Sequence, residues 1–192
     1  MIRYIADMHF DDGNIIAYDN RPFDTIEEMN EAMILNWNRV VTGPEDLTWI
    51  LGDFCVGNGQ RWREILSRLN GRKALILGNH DDRMAAEAAD ELLEETAEYR
   101  EILDEGRHVV LCHYPIVSFR DHYFSWYHLY GHVHNSFEAN VTENARRLLQ
   151  RLYVREDVCL MFNAGAMMPR MNYTPRSLEE ITAASPGGGS GT

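Results

Sequence analysis

Short apolar runs alternate with longer amphipathic stretches along this chain, and their two periods separate strands from helices. "IRYIA" at the start, "LTWIL" at 47–51 and "KALIL" at 73–77 are apolar runs of the length a buried strand takes. Between the first two, "TIEEMNEAMILNWNRV" repeats at helical spacing, with Ile26, Met29, Met33, Trp37 and Val40 on one face. Thr25 and Glu28 have the spacing of a capping box at its start. "QRWREILSRLN" places Trp62, Ile65, Leu66 and Leu69 at i, i+3, i+4 and i+7, and Gly71 is its stop signal. Residues 84–98 read as a helix with an acidic, solvated face. "YREIL", "DEG" and "RHVVLCH" in succession predict a β-hairpin.

Past His113 the aromatic-rich "YPIVSFRDHYFSWYHLYGHVHN" reads as part loop, part strand. "NARRLLQRLY" predicts a helix, "VCLMFNA" a strand, and "SLEEITAA" a last short helix capped by Ser177 and Glu180. No internal repeat is present. Alternating strands and helices predict an α/β layered domain. With 192 residues the chain is long enough for one domain with a core, expected over residues 1–184, and "SPGGGSGT" at 185–192 reads as a flexible tail.

Charge narrows the range of partners. The formal net charge of −12 disfavours nucleic acid, whose binding draws its affinity from clustered Lys and Arg. Cys55, Cys112 and Cys159 are widely spaced and odd in number, which fits buried thiols in a reducing compartment. There is no signal-peptide core and no apolar run near the roughly 20 residues of a membrane helix. A cytoplasmic protein with no membrane partner is the expectation.

The chemistry lies at the ends of the apolar runs. Asp7 and His9 follow "IRYIA", Asp53 follows "LTWILG", Asn79 and His80 follow "KALILG", His113 follows "HVVLC", and His132 and His134 follow "HLYG". In open α/β sheets these strand ends meet at one edge, where ligands bind. Each residue alone has an ordinary structural explanation, but five of the eight histidines fall in this register, which chance does not produce. Gly52, Gly78 and Gly131 each precede a candidate ligand, where the chain turns sharply and a Cβ would obstruct. Imidazole, carboxylate and amide donors without thiolate suit Mn, Fe, Zn or Ni rather than a cysteine-built zinc site. There are too many for one ion, and two ions about 3.5–4 Å apart, sharing a carboxylate, would use them.

These blocks, Asp7-x-His9, Gly52-Asp53, Gly78-Asn79-His80-Asp81, His113 and Gly131-His132-x-His134, resemble the calcineurin-like metallophosphoesterase superfamily. "NII", "NRPF", "EEMN", "NWN", "ILGDF", "CHYP" and "GHVHN" are similar to a small bacterial and phage subgroup of it, over roughly residues 1–136, and "PRSLEEI" resembles that subgroup's usual finish. The resemblance implies a four-layer α/β/β/α sandwich of two mixed sheets flanked by helices. It also implies a dinuclear centre, with manganese the first choice of metal: Asp7, His9 and His134 on one ion, Asn79, His113 and His132 on the other, and Asp53 bridging. His80 would act on the substrate as general acid, with Asp81 holding its ring.

Two features depart from that pattern. Relatives commonly carry Phe-Gly-His where this chain has Phe10-Asp11-Asp12, which would bring extra negative charge beside the metals. Residues 138–157 form a longer insertion, read as a lid or a partner surface. Arg120, His122 and Tyr123 fall where a loop over the metals is expected, so Arg120 and His122 are candidate substrate-binding residues. The expected activity is hydrolysis of small phosphodiesters or phosphomonoesters. The alternatives are a metal-dependent nuclease, disfavoured by charge, and a non-catalytic binding module that keeps the fold.

Overall fold

The computed structural model describes residues 1–183; the stretch read as a tail, 185–192, lies outside them. Two four-stranded sheets face each other with helices on their outer sides. In the first, β1 (Ile2–Ile5), β2 (Leu47–Leu51), β3 (Arg72–Ile76) and β4 (Glu95–Ala97) run parallel in that order. Among the described residues its one antiparallel element is a lone bridge between Tyr4 and Arg176 at the β1 edge. The second is mixed: β5 (Tyr99–Asp104) pairs antiparallel with β6 (Arg107–Cys112), which continues in parallel to β7 (Tyr127–Tyr130) and β8 (Leu160–Asn163).

Side-chain alternation decides what each sheet face covers. On β6, Val109 and Leu111 point into the main core between the sheets, while Val110 points outward to a smaller cluster with Phe119, Tyr130 and Met161. The 17-residue α5 (Phe137–Tyr153) closes that smaller cluster with Ala139 and Leu149. The apolar stripes of α2 (Ile26–Val40) and α3 (Gly59–Arg68), with Trp37 and Trp62 wholly buried, belong to the main core beside β1–β3. All three cysteines are free and buried. No helix among the described residues is long and apolar enough to cross a membrane.

Some boundaries differ from the sequence expectation. The helix expected at 84–98 ends early: α4 is Arg83–Ala88, a single 3-10 turn spans Asp90–Leu92, and Glu95–Ala97 is strand β4. Asp82 starts α4 by accepting from the Met84 and Ala85 N–H groups, and Glu94 then donates its N–H to the Lys73 carbonyl, drawing the chain onto the free edge of β3. The capping box of α2 is only half made. Thr25 accepts from the Glu28 N–H, but the Glu28 carboxylate takes the N–H of Asp24. At α6 (Leu178–Thr182) both halves form between Ser177 and Glu180. Helix α5 starts seven residues before the apolar pattern of "NARRLLQRLY" begins. A further helix, α1 (Gly13–Asp19), was not anticipated; Asp12 caps it by accepting from the Asn14 N–H.

Candidate metal centre

Five strand ends from both sheets deliver side chains to one place. The backbone there is unusual: Asp7, His9, Asp53, His132 and His134 all have left-handed φ, between 47° and 68°. Each such conformation costs a residue with a Cβ on the order of 1 kcal/mol or more, and persists only where the surroundings over-determine it. Here they do. The Asp7 N–H donates to the Gly52 carbonyl and the His9 N–H to the Asp53 carbonyl, which ties the β1 exit to the β2 exit. Gly52 itself has φ 89°, and a Cβ there would stand 2.3 Å from His113 Nδ1. The glycines at 78 and 131 serve by close approach instead: their Cβ positions are 2.2 Å from Asp53 Oδ1 and 2.6 Å from Asp7 Oδ2.

The side chains form two groups with Asp53 between them. In the first, one donor atom each of Asp7, His9, Asp53 and His134 lie within 4.8 Å of one another, all buried. In the second, Asn79 Oδ1 lies 3.1 Å from His113 Nε2 and 2.8 Å from His132 Nδ1. Asp53 Oδ2 stands 3.5 Å from His9 Nε2 and 3.3 Å from His113 Nε2. That one oxygen therefore faces both groups.

The rings are aimed by partners on their far sides. His9 Nδ1 is 3.2 Å from Asp12, His134 Nδ1 is 2.8 Å from Asp19, and His113 Nδ1 is 2.8 Å from the Leu51 carbonyl. An acceptor at Nδ1 fixes the proton there and leaves the Nε2 lone pair free, which is how metal-binding histidines are oriented. Behind them, buried Arg21 donates to Asp19 and to the carbonyls of Asp7 and Met8.

Whether these residues fit a metal can be tested on their unmet demands. Asp7 Oδ2 and His9 Nε2 are buried without a hydrogen-bond partner among the described residues. Native proteins leave few such atoms, because each costs about 1–3 kcal/mol. An acceptor-only carboxylate oxygen and an imidazole lone pair, side by side, are both met by a cation. Burial raises the Asp7 carboxyl above its ordinary range, against the pull of His134 and His113. Burial also opposes ionisation of Asp53, yet His113 and His9 beside it hold its carboxyl well below the usual range. Burial disfavours charge on His113 and His134 too, but Asp53 and Asp19 respectively outweigh it and raise both rings. The buried Asp/His group is thus able to hold metal.

A cavity of about 540 Å³ opens over these groups. His80 stands at its mouth, exposed, its backbone N–H bound to Asp53 Oδ1 at 2.9 Å and its ring centroid 5.4 Å from that of His9. Tyr18, Ile15, Val56, Asn14 and Glu138 contribute to the walls, and no Lys or Arg does.

Three expectations need correction. Asp81 does not hold the His80 ring; its two oxygens accept from the backbone N–H groups of Asp53, Phe54 and Gly78, at 2.8–3.0 Å. Its work is to clamp the β2 and β3 exits together. Arg120 and His122 do not line the cavity. Arg120 pairs with Glu101 and Asp121 and lies over Trp126, while His122 Nδ1 faces the Phe119 carbonyl. Their loop is drawn onto the outer face of the second sheet by Phe119, which is part of the smaller core. Asp11 adds no free charge at this centre, since Arg61 and Asn30 bind its carboxylate, whereas Asp12 does bring its charge there, 3.2 Å from His9 Nδ1. The residues not anticipated are Asp19, Arg21 and Tyr18, the last edge-on to His134, and none of the three had a local signal.

No family model matches the chain. Among curated proteins it is 36% identical over 135 residues to the uncharacterized protein MJ1445 of Methanocaldococcus jannaschii, covering 69% of each chain. Among solved structures it matches a protein of unknown function, AQ665 from Aquifex aeolicus, at TM-score 0.69 and 28% identity, over 94% of this chain and 97% of that one. The YfcE phosphoesterase from E. coli is similar only loosely, at TM-score 0.39 and 16% identity over 69% of each chain, too loosely to bear on chemistry.

Proposed function

The chain belongs to the family of MJ1445, and from the geometry of its Asp/His centre we propose that it is a dinuclear-metal-dependent hydrolase of phosphate esters. One observation supports this above the rest: a single oxygen of Asp53 facing both His9 and His113, each ring fixed with Nε2 inward. A structural site for one ion needs no such shared carboxylate. The calcineurin-like order of blocks in the sequence points the same way.

In this reading Asp7, His9 and His134 hold one divalent ion, Asn79, His113 and His132 the other, and Asp53 both. Bound there, the cations supply Lewis acidity, lowering the pKa of a water and offsetting charge on phosphoryl oxygens. Asp12, Asp19, Arg21 and the Leu51 carbonyl keep the imidazoles aimed, so little reorganisation is needed when substrate arrives. His80 is no ligand. From the cavity mouth its ring delivers a proton to the leaving oxygen, while its backbone N–H fixes Asp53 from behind. Asp81 positions Asp53 by holding the backbone on either side of it.

The cavity wall adds a substrate preference. With no Lys or Arg lining it, the cavity offers no fixed cation of its own to a second phosphate charge, and Ile15, Val56 and Tyr18 suit an apolar substituent. Singly charged diesters are therefore expected to be better substrates than doubly charged monoesters.

The test is to assay the purified protein, stripped of metal and reconstituted with Mn, Zn, Fe or Ni, against phosphodiesters, monoesters, cyclic nucleotides and short DNA, with metal content measured in parallel. Two ions per chain and metal-dependent hydrolysis of a diester are expected. Binding of at most one ion, or no hydrolysis with any of the metals, would overturn the reading.

A further inference from the structure

We propose that α5 is the contact between two copies of this chain, packed antiparallel about a two-fold axis that passes between Asn144 and Ala145. The proposal is independent of the chemistry above and begins from exposure. Phe137, Val141, Leu148 and Leu152 are 78%, 53%, 48% and 68% exposed, yet they share one side of a well-formed helix. Their spacings of 4, 7 and 4 residues keep them within about 60° of each other around the axis. The side that packs on this chain's own core, with Ala139, Thr142 and Leu149, is turned roughly 90–170° away from the middle of this stripe. A helix in contact with solvent along this stripe would carry polar residues there. Contiguous apolar stripes of this size mark interaction surfaces.

The pattern itself selects the occupant. It reads the same from either end: Phe137 and Leu152 are equidistant from the midpoint of 144 and 145, and so are Val141 and Leu148. Two copies laid antiparallel therefore bring Phe137 level with the partner's Leu152, and Val141 level with the partner's Leu148. Such self-complementarity is what an isologous interface requires and what a foreign partner has no need of.

The helix dipole selects the same direction. The charges of α5 are largely met within each copy, where Arg146 and Arg147 both bind Glu143. Antiparallel packing opposes the two helix dipoles, whereas parallel packing would align them. Pairing over four turns, with the aliphatic parts of the flanking arginines, covers on the order of 600–800 Å² per copy, within reach of stable dimers. Glu138 also lines the metal-centre cavity, so the contact adjoins the site.

The full chain is to be examined by light scattering after size exclusion at micromolar concentrations. A mass near twice the 22.2 kDa of one chain is expected, falling to one chain in Val141→Glu/Leu148→Glu with unchanged circular dichroism. Both residues are about half exposed, so loss of the fold is not the expected cause. Register is read by cross-linking, since the native cysteines are buried. Ala145→Cys should oxidise to a covalent dimer. Val141→Cys should not pair with itself, because the two-fold separates its copies by about 10 Å along the axis, yet it should pair with Leu148→Cys in a mixture. A monomer at these concentrations, a dimer that survives the double glutamate change, or self-pairing of Val141→Cys would each overturn the proposal.

Discussion

Asp7, His9 and His134 stand on one side of Asp53 and Asn79, His113 and His132 on the other, but the two groups are held differently. In the first, all three side chains are buried, both imidazoles have a carboxylate behind them, and buried Arg21 ties Asp19 to the Asp7 and Met8 carbonyls. In the second, only His113 is buried and anchored, by the Leu51 carbonyl. Asn79 is exposed, and the polar partners of its side-chain oxygen are the other two members of its own group. Partners behind a ligand hold it where a metal needs it. The first group is thus preorganised for an ion, while the second depends on the ion to complete it. On the dinuclear reading proposed above, two sites of unequal affinity are expected, joined by Asp53.

The change expected to do most damage removes the joint. Asp53→Asn takes one charge from both groups at once and leaves His9 and His113 without their shared partner. Both ions should be lost on dialysis, and hydrolysis should fall by more than the roughly 10²–10⁴-fold typical of removing a single acid–base group. Elemental analysis checks this. Retention of one ion at full occupancy would show that the two groups do not share Asp53.

His80→Ala sharpens the comparison, because it removes a ring that lies beside His9 but takes no donor atom from either group. Both ions should remain, with turnover reduced roughly 10²–10⁴-fold, the usual range for a general acid. The loss should shrink for esters whose leaving groups need no proton. Rates plotted against leaving-group pKa for both proteins distinguish proton donation from uniform binding of phosphate. Loss of metal would instead make His80 a ligand.

How the two groups differ was only partly legible in the sequence. The convergence of the seven candidate side chains was, because each follows an apolar run whose length and period mark a strand, and strand ends converge. The strands themselves were legible for the same reason, except β7, which was read only as part of a mixed loop and strand stretch, and β4, whose Glu95–Ala97 carries the same acidic pattern as the helix before it. What holds the ligands was not legible. Asp19 reaches His134 across 115 residues, and no local pattern encodes that meeting. The family resemblance implied that Asp81 holds the His80 ring. The turn sends its carboxylate to three backbone N–H groups instead, a destination set by the approach of β2 to β3. Arg120 and His122 were expected over the site because they lie between His113 and Gly131, but Phe119 anchors that loop elsewhere.

Asp19→Asn probes the support of the first group without altering a ligand. The amide can still accept from His134 Nδ1, but the charge that raises the His134 ring and pairs with Arg21 is gone. Metal affinity at this group should fall roughly 10–100-fold, the range for losing a partner behind a ligand, while the second group keeps its own. Titrating metal-free protein calorimetrically with Mn or Zn separates the two affinities. Equal weakening at both would mean that Asp19 acts through the fold rather than through His134.

The smallest effect is expected at Asn79. Its amide oxygen is a neutral donor, weaker toward a cation than a carboxylate, and its exposure lets water take its place. Asn79→Ala should therefore weaken only the second ion, by roughly tenfold, the low end of what disturbing a metal site costs. The preorganised first group should be untouched, and raising the free metal concentration should restore occupancy and most of the activity. Asn79→Asp reverses the sign of the change by adding a charge: the second ion should bind more tightly, at the cost of crowding Asp53 with another carboxylate. Titrations of the two variants beside the parent protein give three points on one scale. If Asn79→Ala lost the first ion as readily as the second, the two groups would be a single cooperative unit, and the inequality read from Asp12, Asp19 and Arg21 would be wrong.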